Sequence, residues 1–197
     1  MDEKAPPKKL NLGCGQCKLE GFLNVDCDEA LEPDLVVDLK KPLPFEEGVF
    51  EEVLFMHTIE HIEKKWHPTI LTEIHRALAE NGRLILGYPE FSTCIKYWLE
   101  NHRGKRDFWE ACIYGRQLSP SDFHVSAMDS AELKDLILSV GFDNIHIKSE
   151  DANPQYTILT ARKARPRITY AEHLREVIFG DKYGNSEKRA DETREKS

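Results

Sequence analysis

Long apolar runs are missing from this 197-residue chain. None approaches the ~20 residues that a membrane-crossing helix needs. Met1-Asp2-Glu3-Lys4-Ala5-Pro6-Pro7 also lacks the apolar core of a secretion signal. Excess positive charge is missing too: with 27 Lys and Arg against 35 Asp and Glu, the net charge is -8, and no long-range field draws nucleic acid or an anionic membrane to the chain. Nor is there an even set of cysteines. Five, at positions 14, 17, 27, 94 and 112, argue against a full disulfide framework and suit a reducing compartment, so a cytoplasmic location is expected. Cys14-Gly15-Gln16-Cys17 spells C-x-x-C, but neither a second such pair nor a long helix follows, so the bland reading of two small residues in a tight turn is preferred and no metal ligand is assigned.

What is present is an alternation of short apolar runs and turn signals, with 40% hydrophobic residues to build one core. Lys8-Lys9-Leu10-Asn11-Leu12 reads as a strand, Gly13-Cys14-Gly15 as a turn, and Phe22-Leu23-Asn24-Val25-Asp26 as a second strand ending in a carboxylate, with almost no helix between them. Residues 33–39 read as a third strand buried on both faces, and Phe50 to Met56 as a fourth. Apolar spacing predicts a helix from Glu63 to Ala79 stopped by Asn81-Gly82, a strand over 83–87, and one or two aromatic-rich helices over 91–109. A helix over 130–140 with Ser130 as N-cap and Gly141 as stop precedes strands over 145–147 and 156–161. The pattern is α/β with a mostly parallel sheet and a C-terminal antiparallel hairpin. Residues 1–7 are expected to be a disordered lead-in, 8–163 the folded domain, and 164–197 a polar tail with a short helix over 170–179 that docks on the domain or on a protein partner.

The glycine turn discriminates between nucleotides. A dinucleotide needs G-x-G-x-x-G running into a helix whose amides face the pyrophosphate, and here the third glycine is absent and the next strand arrives within a few residues. A phosphate-free nucleoside needs no helix dipole, and an aspartate ending the second strand can accept hydrogen bonds from ribose hydroxyls. On these residues the chain resembles the class I S-adenosylmethionine-dependent methyltransferases, as a truncated, type 11-like variant, across residues 8–163. Leu10-Asn11-Leu12-Gly13-Cys14-Gly15 is similar to the family's first motif, Asp26 to its ribose-binding acid, and Asp38-Leu39 to its adenine-contacting pair. His57-Thr58-Ile59-Glu60-His61-Ile62 resembles the segment beyond strand four, and Asn81 to Leu86 the turn and strand after it.

The resemblance implies a Rossmann-like, doubly wound sheet with short or missing early helices, an acceptor-covering insertion over about 88–128, and S-adenosylmethionine held by Leu12, Gly13, Cys14, Gly15, Asp26, Asp38, Leu39 and His57. It implies methyl transfer to a small molecule, a glycan precursor or a protein side chain; nucleic acid and membrane partners are disfavoured. His124 and His57 are the candidate catalytic bases, because imidazole titrates near neutrality, and His61 is a further candidate. Tyr88, Tyr97, Trp98, His102, Tyr114 and Arg116 are candidates to wall the acceptor pocket, with core packing as the alternative for Tyr97 and Trp98. Two rivals compete. One is a methyltransferase-fold scaffold that binds cofactor poorly, and the other is a zinc hydrolase, because residues 57–61 spell H-x-x-E-H.

Overall fold

The computed structural model describes residues 7–150 and 153–164. The strands are β1 (Lys9–Leu12), β2 (Leu23–Asp26), β3 (Leu35–Val36), β4 (Phe50–Met56), β5 (Leu78–Tyr88), β6 (Phe142–Glu150) and β7 (Asn153–Lys163). They form one sheet in the order β3-β2-β1-β4-β5-β7-β6, in which β1 to β5 run parallel and β7 is antiparallel to both its neighbours. The helices among the described residues are α1 (His67–Ala77), α2 (Phe91–Leu99), α3 (Arg106–Tyr114) and α4 (Ser130–Val140). Strand order reverses between β1 and β4, which opens a crevice at the carboxyl ends of those strands.

The register places Leu10, Leu12, Val25, Val53, Phe55, Leu84 and Leu86 on one face of the sheet, and all are buried. Ile70 and Ile74 of α1 and Leu133 and Ile137 of α4 complete this core. Removing these side chains from water is the main drive to fold. The opposite face is dressed differently. No helix joins β1 to β2, and the buried residues there are Asn11 and Asn24. The Asn11 amide donates to Cys17 O at 2.9 Å and to Asn24 Oδ1 at 3.0 Å, while Asn24 Oδ1 accepts from Leu19 N at 2.8 Å. The Asn24 amide in turn donates to Leu19 O at 3.2 Å and to Asp34 at 3.0 Å. Side-chain hydrogen bonds thus hold a loop where an apolar helix face would otherwise lie. Further along this face Leu54, Ile85 and Thr160 are half-buried, and Glu52 pairs with Lys9 and Arg83.

Several sequence expectations need correction. The third strand has only two residues, Leu35 and Val36, which are 37% and 49% exposed. The buried positions are instead Val37 and Leu39, beyond the strand, because β3 lies at the sheet edge and only β2 covers it. The N-cap of α4 is Asp129, whose carboxylate accepts from Ala131 N and Glu132 N, each at 3.0 Å; Ser130 is the first helical residue and bonds Tyr88 OH at 2.8 Å. α1 begins at His67, after a 3-10 turn over Lys64–Trp66, and gives way to β5 at Leu78, so Asn81-Gly82 interrupts the ladder between β4 and β5 rather than stopping a helix. The hairpin strands β6 and β7 extend beyond their apolar centres. Residues 1–6, most of the tail and its expected helix over 170–179 lie outside the described residues. No helix among the described residues is long and apolar enough to cross a membrane.

Replacing Asn24 by Ala removes the acceptor of Leu19 N and one of the two acceptors of the Asn11 amide, at an expected cost of about 1–2 kcal/mol in urea unfolding. A loss below about 0.5 kcal/mol, the range of an ordinary surface substitution, would mean that the loop does not depend on this network.

Candidate functional site

The loop after β1 turns on two glycines with positive φ, +68° at Gly13 and +53° at Gly15, a region that side chains with a Cβ rarely occupy. Gly13 and Cys14 both donate their amides to Val25 O, at 2.8 and 3.0 Å. A Cβ on Gly13 would lie 2.3 Å from Thr58 Oγ1, whereas one on Gly15 would meet nothing within 4 Å. Gly13 is therefore a packing requirement, and Gly15 presents bare backbone to open space. Asp26, 8% exposed, anchors this loop: its carboxylate accepts from Gly15 N at 2.8 Å and from Asp28 N at 3.1 Å. Each oxygen retains a lone pair for a further donor.

The other expected cofactor residues surround the loop unequally. Leu12 is fully buried, so only its backbone can reach a ligand. Cys14 is buried, and burial, then the neighbouring Asp26 charge, raises its thiol pKa; this is the opposite of a reactive redox thiol. None of the five cysteines forms a disulfide. Asp38 is exposed and accepts from Lys40 N at 3.0 Å, a bond that lowers its pKa, while Leu39 is buried.

His57 follows β4 with φ +50°, its amide bonded to Gly87 O at 2.9 Å. Its neighbour Thr58 donates to Met56 O at 2.9 Å and lies against Gly13, so His57 stands directly beside the glycine loop. His57 also lines a cavity of about 300 Å³, together with Glu60, His61, Pro89, Cys112 and His124, with Arg116 and Asp122 also in its wall. A second cavity, of about 180 Å³, lies between α1 and α4. Neither is lined by Gly13, Gly15 or Asp26.

Two segments far apart in sequence are stitched together to make the larger cavity. Val125 and Ser126 donate their amides to Glu60 O at 2.9 and 3.2 Å, and Ser126 Oγ donates to Ile62 O at 3.0 Å. His61 Nδ1 donates to Phe123 O at 3.0 Å, and His124 Nδ1 to Cys112 O at 3.1 Å. Since a carbonyl only accepts, each Nδ1 carries the proton, and in the neutral ring Nε2 is left as a lone-pair donor. Burial first of all lowers the pKa of His124, which favours that neutral form. Glu60 is 1% exposed, and neither carboxylate oxygen has a hydrogen-bond partner among the described residues, although His57 Nδ1 stands 3.4 Å away.

Of the aromatic candidates for the pocket wall, most belong elsewhere. Tyr97 stacks on His102 with ring centres 4.1 Å apart, and Trp98 donates to Glu110 at 3.2 Å, so both serve the packing between α2 and α3. Tyr88 is buried, bonded to Ser130, and burial pushes its pKa up to about 12. Tyr114 is 55% exposed, and Arg116 is the member of that set that lines the cavity. The H-x-x-E-H segment is not an α-helix. Residues 59–61 make one 3-10 turn, so His57 and His61 do not share a helical face as a zinc protease requires. Sequence reasoning missed the grouping of Glu60 and His61 with His124, because it depends on the stitch between two distant loops.

Residues 10–86 match the family model described as a methyltransferase domain. No curated protein matches the chain by sequence. Among solved structures, a SAM-dependent methyltransferase from Archaeoglobus fulgidus superposes with a TM-score of 0.58 at 15% identity, covering 81% of this chain and 87% of the other. One from Methanosarcina mazei gives 0.58 at 14% identity, covering 82% and 94%. A phosphoethanolamine N-methyltransferase 2 from Haemonchus contortus, solved with S-adenosyl-L-methionine, gives 0.52 at 14% identity, covering 82% of this chain and 50% of that one. Residues 10–86 are thus similar to a methyltransferase domain, and the chain has the α/β fold seen in these SAM-dependent methyltransferases.

The turn below the cavity rests on His67, whose buried Nε2 donates to Ile62 O at 2.9 Å and to Ile59 O at 3.1 Å. Burial lowers the pKa of His67 and of His75 below the usual 6.5. Below pH 6.5 the unfolded chain takes up protons that the folded one refuses, so stability is full above that value and is lost as pH falls. Urea midpoints are expected to fall between pH 6.5 and 5, with a shallower slope in His67→Gln. A flat or rising midpoint over that window would refute this reading.

Proposed function

We propose that this protein is an S-adenosylmethionine-dependent methyltransferase whose acceptor enters the cavity between His57 and His124. The observation that carries the reading is the joined pair of features at the strand ends: the open backbone at Gly15 clamped by Asp26, and His57 in the cavity wall next to Thr58, which lies against Gly13. The residues present suit the cofactor. Gly15 leaves space for a nucleoside, and Asp26 keeps lone pairs for ribose hydroxyls. When bound, S-adenosylmethionine supplies a methyl on a sulfonium, whose carbon–sulfur bond breaks with the electron pair going to sulfur as the acceptor attacks.

The protein then has mainly to position, which accounts for about 7–11 kcal/mol of barrier lowering when two reactants are held at near-attack distance. His57 is the base best placed between the two sites, with Nε2 buried and without a hydrogen-bond partner among the described residues. It takes the proton from an acceptor oxygen or nitrogen as the new bond to carbon forms. His124 forms the opposite wall. The acceptor is a small molecule or a projecting group of a larger one, matched to a cavity of about 300 Å³. The absence of disulfides supports a cytoplasmic setting.

S-adenosylhomocysteine at 100 times its Kd is expected to stabilise the protein by about 2.7 kcal/mol. Asp26→Ala removes the effect. Gly15→Ala stays folded, at a cost of about 1–2 kcal/mol for a Cβ at positive φ, but loses binding because its methyl group fills the open side of the loop. With an acceptor that is turned over, His57→Gln lowers kcat about 100-fold or more. No stabilisation of the wild type, or unchanged binding in Gly15→Ala, would overturn the cofactor assignment, and an unchanged kcat in His57→Gln would remove His57 as the base.

A further inference from the structure

We propose that Glu60, His61 and His124 form a binding site for one divalent transition-metal ion in the wall of the acceptor cavity. Their potential ligand atoms all lie within 4.8 Å of one another, and the two imidazole rings stand edge to face with centres 4.8 Å apart. Small side-chain rotations bring such a set onto one ion, with ligand bonds of about 2.0–2.2 Å.

Three independent features of the structure point to an ion rather than to a fortuitous cluster. Glu60 is a carboxylate 1% exposed, with both oxygens lacking a hydrogen-bond partner among the described residues and with its side chain in the cavity wall. A buried charge left in this condition costs free energy unless something positive meets it. Next, both histidines hold Nδ1–H on a backbone carbonyl, His61 on Phe123 and His124 on Cys112, so both Nε2 lone pairs are free. That outer hydrogen bond is the arrangement that orients metal-binding imidazoles and raises their basicity. Finally, the two halves of the site are locked in register by the amides of Val125 and Ser126 on Glu60 O. The backbone that carries Glu60 and His61 is thus fixed against the segment that carries His124.

Two imidazoles and one carboxylate favour an intermediate ion such as Zn2+, Co2+, Fe2+ or Mn2+ over Ca2+, which takes six or more oxygens. Three protein ligands leave positions open toward the cavity. If the methyltransferase reading holds, those positions suit an acceptor that presents oxygen, because a divalent ion takes an oxygen donor and lowers the pKa of a bound hydroxyl. The acceptor class that follows is an oxygen-bearing molecule, not a simple amine.

The test uses the full chain stripped of metal by a chelator and titrated with Co2+ and, separately, Zn2+, with no cofactor present. One Co2+ per chain is expected, with the visible absorption of a nitrogen and oxygen site and no thiolate charge-transfer band. Zn2+ raises the melting temperature. Losing an outer partner weakens metal affinity about 10–100-fold, so Glu60→Gln, which removes a ligand charge, weakens it by more than about 100-fold; His61→Ala and His124→Ala do likewise. Glu60→Gln also removes a buried carboxylate that makes no hydrogen bond and has only His57 Nδ1 nearby at 3.4 Å, so its metal-free melting temperature stays close to that of the wild type, which separates lost binding from lost folding. Cys17→Ser binds as the wild type does. Absence of stoichiometric binding, undiminished binding in Glu60→Gln, or a charge-transfer band that disappears in Cys17→Ser would overturn the proposal. Metal binding without S-adenosylhomocysteine binding would overturn the function reading alone, and the converse would overturn the metal site alone.

Discussion

Asp26 ends β2 with both carboxylate oxygens engaged by backbone amides, Gly15 N at 2.8 Å and Asp28 N at 3.1 Å, and the shape of the cofactor end follows from that. Elsewhere in such sheets a helix after the first strand would hold the turn in place by packing. Here a short loop does so, and it needs side-chain hydrogen bonds: Asp26 at its start, and the Asn11 and Asn24 amides along its return. The Asp26 carboxylate, by accepting from Gly15 N, ties the middle of the loop to the end of β2. In the function proposed above, the same carboxylate also accepts the ribose hydroxyls.

The second constraint is the stitch between the turn after β4 and the connection from α3 to α4. Through Glu60 O, Ile62 O and the Phe123 carbonyl, it assembles His57, Glu60, His61 and His124 around one cavity. Gly115 belongs to the same device: it bridges to Phe123, and a Cβ there would lie 1.9 Å from Asp122 O. The aromatic cluster of α2 and α3 carries this connection: Tyr97 and Trp98 pack within it, while Phe108 and Cys112 of α3 reach the cavity wall. The glycine loop and the cavity are therefore linked through residues 57 and 58, with His57 in the cavity wall and Thr58 braced on Gly13.

Much of the fold was legible because it is written in local pattern. The apolar stripe Ile70, Leu71, Ile74, Ala77 and the stripe Leu133, Ile137, Val140 have helical spacing, and the alternating strand residues Leu10, Leu12, Val53 and Phe55 are buried as their pattern predicts. The glycine turn and the acid after it were legible for the same reason: positive φ and a strand-end carboxylate leave residue types behind. Other features were hidden by competition between neighbours. Leu35 and Val36 read as a buried strand but lie at an edge, because which strand is outermost depends on topology and not on hydrophobicity. Ser130 and Asp129 are both good N-caps, and Asp129 takes the position because its carboxylate reaches two amides. At the site, His57 and His124 could be singled out by type, but the grouping of Glu60 with His61 and His124 arises from backbone carbonyls contributed by distant residues, and such partners carry no side-chain signature.

The central claim is that the clamp at Asp26 presents a nucleoside whose sulfur end points past His57 into the cavity. A crystal structure with S-adenosylhomocysteine tests it most directly. The ribose hydroxyls are predicted within hydrogen-bond distance of Asp26, with the sulfur directed between His57 and His124. A ligand seated away from Gly15, or a sulfur pointing out to solvent with the cavity on the wrong side of the adenosine, would contradict the account.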